Sequence, residues 1–336
     1  MSGEGSLLES AWHVVARSND VSPGPLPVEL LGRRLVVVRL GDEVAVLPAA
    51  CPHRGTDLSF GGVVTNRSGG MALRCPYHGW TFDGDGVCTF IPSMPDGPIP
   101  PTASSSSCAV HERDGLVWAC LDPGADTAAI PALPTDVPGM RTIVGEPMVW
   151  ATSAGRHVEN ILDLGHFPFV HPGTFGCPEA EVVAGHHVER GEDWIAADVP
   201  VVTRNPDGAD GPMYPGLGPL VTLGYRYEVT APYRITLEFA FPDGMRRALH
   251  EVVTPNRRDR CTIHWRLLVD ERLRSHDVDE LAFAHAVFAE DRPVIESQPP
   301  GLPLDAGVEV HLPADRLAVA YRRLLRDLGC TTADHC

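Results

Sequence analysis

Two short segments, Cys51-Pro52-His53-Arg54-Gly55 and Cys75-Pro76-Tyr77-His78-Gly79-Trp80, decide how the first part of this sequence folds. The first segment has the pattern Cys-x-His and the second has the pattern Cys-x-x-His, with residues 54–74 between the two patterns. Each pattern brings one thiolate and one imidazole together on a proline-containing loop. Two such loops that face each other offer two sulfur and two nitrogen ligands to a metal centre.

This ligand set leaves two kinds of metal site open. Tetrahedral zinc binds two cysteines and two histidines in many structural modules, but these modules usually pair Cys with Cys and His with His. Here each half is mixed, which favours a two-iron cluster in which both cysteines bind one iron and both histidines bind the other. Histidine ligands raise the reduction potential of such a cluster, so we expect a one-electron relay.

The segments CPHRG at 51–55 and CPYHGW at 75–80 resemble the cluster-binding loops of Rieske [2Fe–2S] domains. The resemblance implies four ligands to the cluster: Cys51, His53, Cys75 and His78. The separation of the two loops is a few residues longer than is usual in that family. We expect the turn-rich stretch Thr65–Gly70 to absorb the excess as a loop.

A histidine pair further along the chain, His166 and His171, is a candidate for a second metal site. On a helix, Asn160, Asp163 and His166 would share one face, because residues three positions apart do so. His171 would lie about 140° away on an ideal helix, so we expect Pro168 to interrupt the helix and redirect that ring. Two histidines with a nearby carboxylate suggest an iron(II) site, although a lone His-x4-His pair is also common without a metal.

The third ligand is expected from a helix predicted over 278–298. One stripe of this helix contains Leu281, Ala284, Phe288, Asp291 and Ile295. Glu290 and Glu296 lie about 120° to either side of the stripe, so we expect them to face water. A carboxylate on a buried face needs a cation or hydrogen-bond donors. Asp291 is therefore the third metal ligand, part of a salt bridge or a helix-end contact.

The segment ENILDLGHFPFVHPGTFG at 159–176 resembles the mononuclear-iron motif of Rieske non-heme iron oxygenases, and AEDRPVIESQ at 289–298 resembles the ligand region of the vanillate and dicamba O-demethylase branch. The resemblance therefore spans nearly the whole chain. It implies that His166, His171 and Asp291 bind iron(II). It also implies that Asp163 connects His166 to the cluster ligand His78 of a neighbouring subunit in a homotrimer. Asn160 either orients a ligand or substrate or packs the helix.

The composition fits a globular chain of 336 residues, in which 44 acidic and 27 basic residues give a net charge of −17. Such a charge repels a phosphate backbone, so we expect no nucleic-acid partner. No run of about 18 apolar residues is present, and Met1–Trp12 lacks the basic and apolar regions of a signal peptide. We therefore expect no membrane segment and a cytoplasmic protein whose nine cysteines are reduced or bind metal.

The pattern along the chain predicts an α+β protein with two domains. Residues 1–125 are expected to form an all-β cluster domain, and residues 141–336 a catalytic domain with an antiparallel sheet and flanking helices. Proline-rich loops are expected at 92–107 and in the linker at about 122–140. We predict strands at Trp12–Ala16, Leu35–Leu40, Glu43–Leu47, Gly115–Leu121, Val199–Val202, Val221–Val229, Arg234–Phe241 and Cys261–Val269. A last helix is predicted around Leu317–Leu328, ending at Gly329.

The resemblance implies a terminal oxygenase that uses O2 to mono-oxygenate a small aromatic or heterocyclic substrate, by hydroxylation or by O- or N-demethylation. Electrons would come from NADH or NADPH through a separate reductase, with or without a ferredoxin, because no Gly-x-Gly-x-x-Gly motif follows a predicted strand. The alternatives are dioxygenation, oxidative cyclisation in natural-product tailoring, or a non-enzymatic zinc or electron-transfer module. Aromatic residues expected near the substrate are Tyr214, Tyr225, Tyr227 and Phe239.

Overall fold

The computed structural model describes residues 7–21, 24–205, 217–305 and 307–330. Tyr214 lies outside these residues. The chain divides into two compact units, Met1–Leu133 and Pro134–Cys336. The division falls inside the proline-rich interval 122–140, where proline cannot continue a helix or a central strand.

The described residues of the first unit form three small antiparallel sheets, with strand orders β1-β10-β9, β2-β3-β4 and β5-β6-β7-β8, and one short α-helix, α1 (Leu7–Ser10). Its strands are β1 (His13–Arg17), β2 (Leu26–Leu30), β3 (Arg33–Leu40), β4 (Glu43–Pro48), β5 (Gly62–Thr65), β6 (Met71–Arg74), β7 (Thr81–Phe82), β8 (Cys88–Phe90), β9 (Ala109–Arg113) and β10 (Leu116–Cys120). The four strands predicted here are confirmed with small shifts at their ends.

Strand β3 lies between two apolar cores. Its side chains alternate, so that Val36 and Val38 enter the core that contains Cys51 and Cys75, whereas Val37 enters the other core. Burial on both faces explains the apolar run Leu35–Val38 at the centre of this strand. The cysteines of the two loops therefore close one side of a core that the strand supports.

The loop expected at Thr65–Gly70 is confirmed as the connection between β5 and β6, which pair Thr65 with Met71. The side-chain oxygen of Asn66 accepts hydrogen bonds from the backbone of Ser68 and Gly70 at 3.0 and 2.9 Å. The extra residues therefore form a hairpin turn with its own local hydrogen bonds, and they do not disturb the two cysteine loops.

The second unit is built on one eight-stranded antiparallel sheet, with the order β11-β18-β17-β16-β15-β14-β13 and β12 also paired with β18. Its strands are β11 (Met140–Val144), β12 (Met148–Trp150), β13 (Glu189–Arg190), β14 (Trp194–Arg204), β15 (Leu220–Thr230), β16 (Arg234–Ala240), β17 (Arg246–Arg257) and β18 (Arg260–Asp270). The helices are α2 (Ala154–Leu162), α3 (Phe167–Val170), α4 (Asp277–Glu296) and α5 (Arg316–Asp327). These features confirm the expected α+β class.

Strand β17 was not predicted, because its sequence RRALHEVVTPNR lacks a clean alternation of apolar and polar residues. Three of its polar side chains are nevertheless buried, and each of them has a polar partner. Glu251 bonds His157 of α2 at 2.6 Å, and the Thr236 hydroxyl lies 2.9 Å from Nδ1 of His250. Arg247 bonds Glu280 of α4. Polar pairing thus replaces apolar packing along this strand.

The two long helices agree with their predicted positions. Helix α5 buries Leu317, Tyr321 and Leu324, and Gly329 follows it with a φ of 95°, a left-handed conformation typical of a helix end. Helix α4 buries Phe288 and Asp291. Among the helices of the described residues, none is long and apolar enough to cross a membrane.

The prediction that one helix continues through residues 160–166 is wrong. Helix α2 ends at Leu162, because Asp163 has an extended backbone and its carboxylate accepts a hydrogen bond from Gly165 N at 2.7 Å. Pro168 does not break a helix either. It lies in the first turn of α3, a position at which proline is favoured because its missing N–H is not needed.

The buried histidine of β1 makes the stability of the first unit pH-dependent. Burial lowers the pKa of His13 from 6.5 to about 4, against the opposing effect of its hydrogen bond to Leu8 O. The folded state therefore keeps His13 neutral where the unfolded state binds a proton. The free energy of unfolding therefore decreases by about 2–4 kcal/mol as the pH falls from about 6.5 to about 4, because only the unfolded state binds this proton in that range.

We expect His13→Gln to make the apparent unfolding temperature less dependent on pH in that window, because glutamine can donate to Leu8 O without titrating. The measurement is differential scanning calorimetry from pH 7 to pH 4.5. His111→Gln, at an exposed position of β9, is the matched control and should keep the original slope. Equal slopes in both variants would contradict the assignment to His13.

Candidate metal centres and substrate cavity

The two cysteine loops of the first unit share one backbone arrangement. Cys51 O accepts a hydrogen bond from Gly55 N at 2.8 Å, and Cys75 O accepts one from Gly79 N at 3.1 Å. Both glycines have left-handed backbones, with φ values of 72° and 73°. Since residues with a Cβ rarely adopt this conformation, glycine at the fifth position allows each loop to turn back on its cysteine.

The second loop also has tertiary support. It connects β6 to β7, which pair Arg74 with Thr81, and Cys75 N donates to Trp80 O at 2.8 Å. The cysteine is therefore fixed at the end of a short hairpin. The first loop follows β4 and is joined to the next segment by the hydrogen bond from Cys51 N to Thr56 O at 2.9 Å.

The predicted cluster residues divide into a buried and a more exposed side. Cys51 and Cys75 are buried, His53 is half-buried and His78 is exposed. The two imidazole rings lie 4.4 Å apart between centroids, and the indole of Trp80 stacks on His53 at 4.5 Å. The structure thus brings the four predicted ligands together, with the histidines toward the surface.

The donor atoms of these four residues fit an iron–sulfur cluster. Nδ1 of His53 is buried and has no hydrogen-bond partner among the described residues, as expected of an atom reserved for a metal. Burial, together with the adjacent Cys75, raises the pKa of Cys51 to about 11. A bound metal removes that proton, since a coordinating thiol is deprotonated outright.

Three side chains converge in the second unit at the positions predicted for iron. Nε2 of His166 lies 3.1 Å from Nε2 of His171 and 3.4 Å from Oδ1 of Asp291, and the last two atoms are 3.2 Å apart. Ligands at about 2.1 Å from one metal ion are separated by about 3.0–3.4 Å. The three atoms therefore fit a single metal ion, and the group faces an apolar cavity that leaves room for further ligands.

The charges of this group depend on one another. Burial alone would raise the pKa of Asp291, but hydrogen bonds and charges from His166 and His171 outweigh it and hold that pKa below its usual range. Burial likewise opposes protonation of His171, yet its carboxylate neighbours raise the pKa of His171 above the ordinary value. A buried carboxylate of this kind requires a positive partner, which a metal ion provides.

The carboxylate of Glu290 contacts the ring of His171, and the sequence analysis did not predict this contact. Glu290 was expected to face water, and this is wrong, because it is half-buried and its Oε2 lies 2.9 Å from Nδ1 of His171. The hydroxyl of Thr174 donates to the same carboxylate oxygen at 2.6 Å. With Nδ1 held as the donor, Nε2 of His171 is left free to bind a metal.

The loop after His171 contains a glycine, Gly176, that no other residue can replace unless the surrounding backbone moves. Gly176 N donates to His171 O at 2.8 Å. A Cβ at Gly176 would lie 2.2 Å from Phe167 O and 2.7 Å from His171 O, closer than real Cβ contacts occur. Glycine at this position therefore permits the backbone approach that fixes His171 against α3.

Asp163 lies near the triad without joining it. Its Oδ2 is 3.9 Å from Nδ1 of His166, which is beyond hydrogen-bond distance, and its side chain is 45% exposed. Asn160 occupies the adjacent turn of α2. Its side chain lines the cavity, is buried, and has Nδ2 without a hydrogen-bond partner among the described residues. Asn160 thus offers a donor toward the cavity, whereas Asp163 faces outward.

The cavity in front of the triad is lined mainly by apolar and aromatic side chains from the sheet, α3 and α4. Its volume is about 120 Å³. Tyr225 and Phe239 line it as expected, whereas Tyr227 is fully buried and is not among the described lining residues. The remaining aromatic lining residues are Phe167, Phe175, Phe241, Phe283 and Phe288. A planar apolar molecule is the ligand that such walls favour.

Comparison with known families agrees with both halves of this description. Residues 11–105 match the Rieske [2Fe-2S] domain, and residues 150–329 match the vanillate O-demethylase oxygenase C-terminal domain. The two matches cover the cysteine loops and the histidine–aspartate triad, respectively.

Individual relatives share nearly the full length of the chain. Methylxanthine N1-demethylase NdmA of Pseudomonas putida is 34% identical over 97% of this chain and 90% of its own, and its solved structure superposes with a TM-score of 0.78. Methylxanthine N3-demethylase NdmB of the same organism is 34% identical over 98% of this chain and 92% of its own. Dicamba monooxygenase bound to 3,6-dichlorosalicylic acid is 25% identical, with a TM-score of 0.80 over 96% of this chain and 98% of that one.

The chain therefore belongs to the Rieske non-heme iron oxygenases and is a terminal oxygenase component. It is an oxidoreductase of the Rieske monooxygenase type, and its cofactors are a [2Fe–2S] cluster and a ferrous ion. Enzymes of this family use O2 and electrons from a separate reductase or ferredoxin. A non-enzymatic zinc module or a simple electron carrier is thereby excluded.

We expect Glu290→Gln to weaken ferrous-ion binding by about 10–100-fold, because His171 is predicted to be a ligand and this is the usual cost of removing a carboxylate that holds a metal-ligating histidine. The two cluster irons should be retained, because they belong to the other unit. Iron affinity is measured by competition with a chelator, with cluster content read from visible absorption.

Glu296→Gln is the control for this prediction, because Glu296 lies on the same helix but bonds Ala151 N and Arg292. It should retain the ferrous ion as the unaltered protein does. An equal iron affinity in the two variants would show that Glu290 does not support His171.

Proposed function

We propose that Cys51, His53, Cys75 and His78 hold the [2Fe–2S] cluster, and that His166, His171 and Asp291 hold the catalytic ferrous ion. The geometry supports this assignment, because the donor atoms of the triad lie within reach of one metal ion, and the two histidine rings of the cysteine loops lie 4.4 Å apart between centroids. The observation that carries the proposal is the triad's spacing of 3.1–3.4 Å at the wall of an aromatic cavity. The matched families contain both kinds of centre.

The reaction we infer is the mono-oxygenation of a methyl group on a small planar heteroaromatic or aromatic substrate. Hydroxylation of a methyl carried by nitrogen or oxygen gives a product that loses formaldehyde. The relatives support this inference, since they are named as methylxanthine N-demethylases and dicamba monooxygenase. The aromatic side chains of the cavity supply flat, apolar contact surfaces for such a ring.

Each residue of the site has a distinct task in this reaction. When bound, the ferrous ion supplies oxygen activation next to the substrate, with one electron arriving from the cluster. Glu290 holds the proton on Nδ1 of His171, so that ring keeps its orientation. Asn160 presents its amide donor toward the cavity and orients the substrate or a ligand. Phe167 and Phe175 flank His171 and keep water away from it.

We further propose a homotrimer in which His78 of one subunit faces Asp163 of the next. Both side chains are exposed in the single chain, as this arrangement requires. A carboxylate between two imidazoles attracts the proton of each ring, and it therefore fixes both rings. The exposed Tyr77 beside His78 offers an apolar contact to the neighbouring subunit.

The proposed electron donor is an NADH- or NADPH-dependent reductase, acting directly or through a ferredoxin. We place the protein in the cytoplasm, because the nicotinamide cofactor is available there and thiols stay reduced.

The test of the proposed function uses the iron-loaded enzyme, a surrogate reductase–ferredoxin pair with NADH, and a panel of methylated heteroaromatics headed by caffeine. Formaldehyde should appear in proportion to O2 consumed. When it is trapped as it forms, it should carry one oxygen atom from ¹⁸O2, whereas the demethylated ring should carry none. His171→Ala should lose the ferrous ion and formaldehyde release while retaining the cluster. Incorporation of two oxygen atoms, or no turnover of any panel member by enzyme with three irons per chain, would contradict the proposal.

For the trimer contact, we expect Asp163→Asn to leave both metal centres loaded but to slow oxidation of the reduced cluster by about 10–100-fold in a single turnover. The rate is followed by stopped-flow absorption. Asp198→Asn, at an exposed position of β14, is the control and should not change it. Rapid cluster oxidation in the Asp163→Asn variant would remove the proposed role of this carboxylate.

A further inference from the structure

The substrate cavity has polar groups at two well-separated places on α4. The stripe of this helix that lines the cavity begins with Glu280, continues through Phe283, Val287 and Phe288, and ends with Asp291 of the iron triad. At 1.5 Å per residue, Glu280 and Asp291 lie about 16 Å apart along the helix axis. The end marked by Glu280 is therefore remote from the position where a substrate is oxidised.

Glu280 is paired there with Arg247 of β17. The Arg247 guanidinium donates from Nη2 and Nε to one carboxylate oxygen of Glu280, at 2.8 and 3.2 Å, and the Ser275 hydroxyl donates to the same oxygen. Both side chains are nearly inaccessible, with 8% and 1% of their surface exposed. Phe241 lies under the guanidinium, 5.2 Å from it to the ring centroid.

The sheet around Arg247 is otherwise apolar on the face toward the cavity. Arg247 pairs with Phe239 across the sheet, and Phe239 pairs with Tyr225, so these three side chains form one row. Leu237 and Leu249 occupy the next row. A buried ion pair adds little to stability compared with apolar residues of similar size, because desolvation offsets its attraction. A polar pair in such a wall is better explained by recognition of a ligand.

The charge of the pair limits which ligand group it recognises. Among the described residues that line this cavity, Arg247 is the only arginine, and no lysine occurs in the sequence. Its charge is already balanced by Glu280, so a substrate carboxylate would face a buried carboxylate without a second cation. An uncharged amide avoids this conflict, because its C=O accepts from Arg247 while its N–H donates to Glu280.

We propose that Arg247 and Glu280 together recognise an uncharged amide or lactam at the end of the substrate remote from the methyl group that is oxidised. The enzyme therefore selects fused planar rings with an amide over the corresponding carboxylates. This inference rests on the proposed function, since it assigns the same cavity to the substrate.

The test uses two matched molecules, 6-methoxynaphthalene-2-carboxamide and 6-methoxynaphthalene-2-carboxylate. Each is a fused two-ring system with the methoxy group at the opposite end from the amide or carboxylate. Binding to the iron-loaded enzyme is measured by anaerobic calorimetry. We expect the amide to bind at least about 10-fold more tightly than the carboxylate.

Substitution of the pair should change this preference in a defined direction. Glu280→Gln leaves the charge of Arg247 uncompensated, and the ratio of the two affinities should shift toward the carboxylate by at least about 10-fold. The double variant Arg247→Gln/Glu280→Gln removes both charges and should bind both molecules with similar affinity. Cluster and iron content, with the unfolding temperature, verify that each variant is folded.

The proposal is overturned if the unaltered enzyme binds the carboxylate as tightly as the amide, if it binds neither molecule, or if a folded Glu280→Gln variant keeps the original ratio. A pair that only joins α4 to the sheet would change the unfolding temperature but not the ratio. Formaldehyde release from caffeine without an amide preference would refute only this inference. An amide preference without any formaldehyde release would refute only the demethylation.

Discussion

The attraction of two imidazoles and one carboxylate to a shared positive charge organises the second unit. His166 and His171 lie on either side of α3, whereas Asp291 comes from α4, more than a hundred residues later in the chain. Three donor atoms held at 3.1–3.4 Å from one another are stable only with a positive charge among them. The close approach at Gly176, the carboxylate of Glu290 and the packing of α4 on the sheet all serve to hold that arrangement.

The sequence predicted the parts of the fold and of the candidate site that depend on local pattern. The two cysteine loops, the strands rich in apolar residues and the long helices α4 and α5 were found because spacing and periodicity carry that information. The end of α2 was missed, because it depends on the turn at Asp163 and on contacts of His166 and His171 with distant residues. The sequence segment alone is equally compatible with a continuing helix.

The residues that sequence reasoning missed are polar groups whose partners lie far along the chain. Glu290 was assigned to water from its angle on a single helix, yet its partner His171 lies 119 positions away. Nothing in the sequence connects Arg247 with Glu280, which lie 33 positions apart. They form an ion pair because the fold brings α4 next to β17. Helical geometry locates one face toward a core, but it does not reveal which neighbouring element brings a partner to the flank of that face.

Helix α4 carries consecutive residues with different tasks, since Asp291 faces the metal position while Glu290 holds a ring that faces it too. Any movement of this turn therefore displaces the proposed ligand Asp291 together with the carboxylate that supports His171. Phe283 and Val287, toward the other end of the helix, are not part of this metal-site arrangement. Substitutions that change the size of side chains at this end of the cavity can therefore alter which substrates fit. They leave the residues around the metal position unchanged.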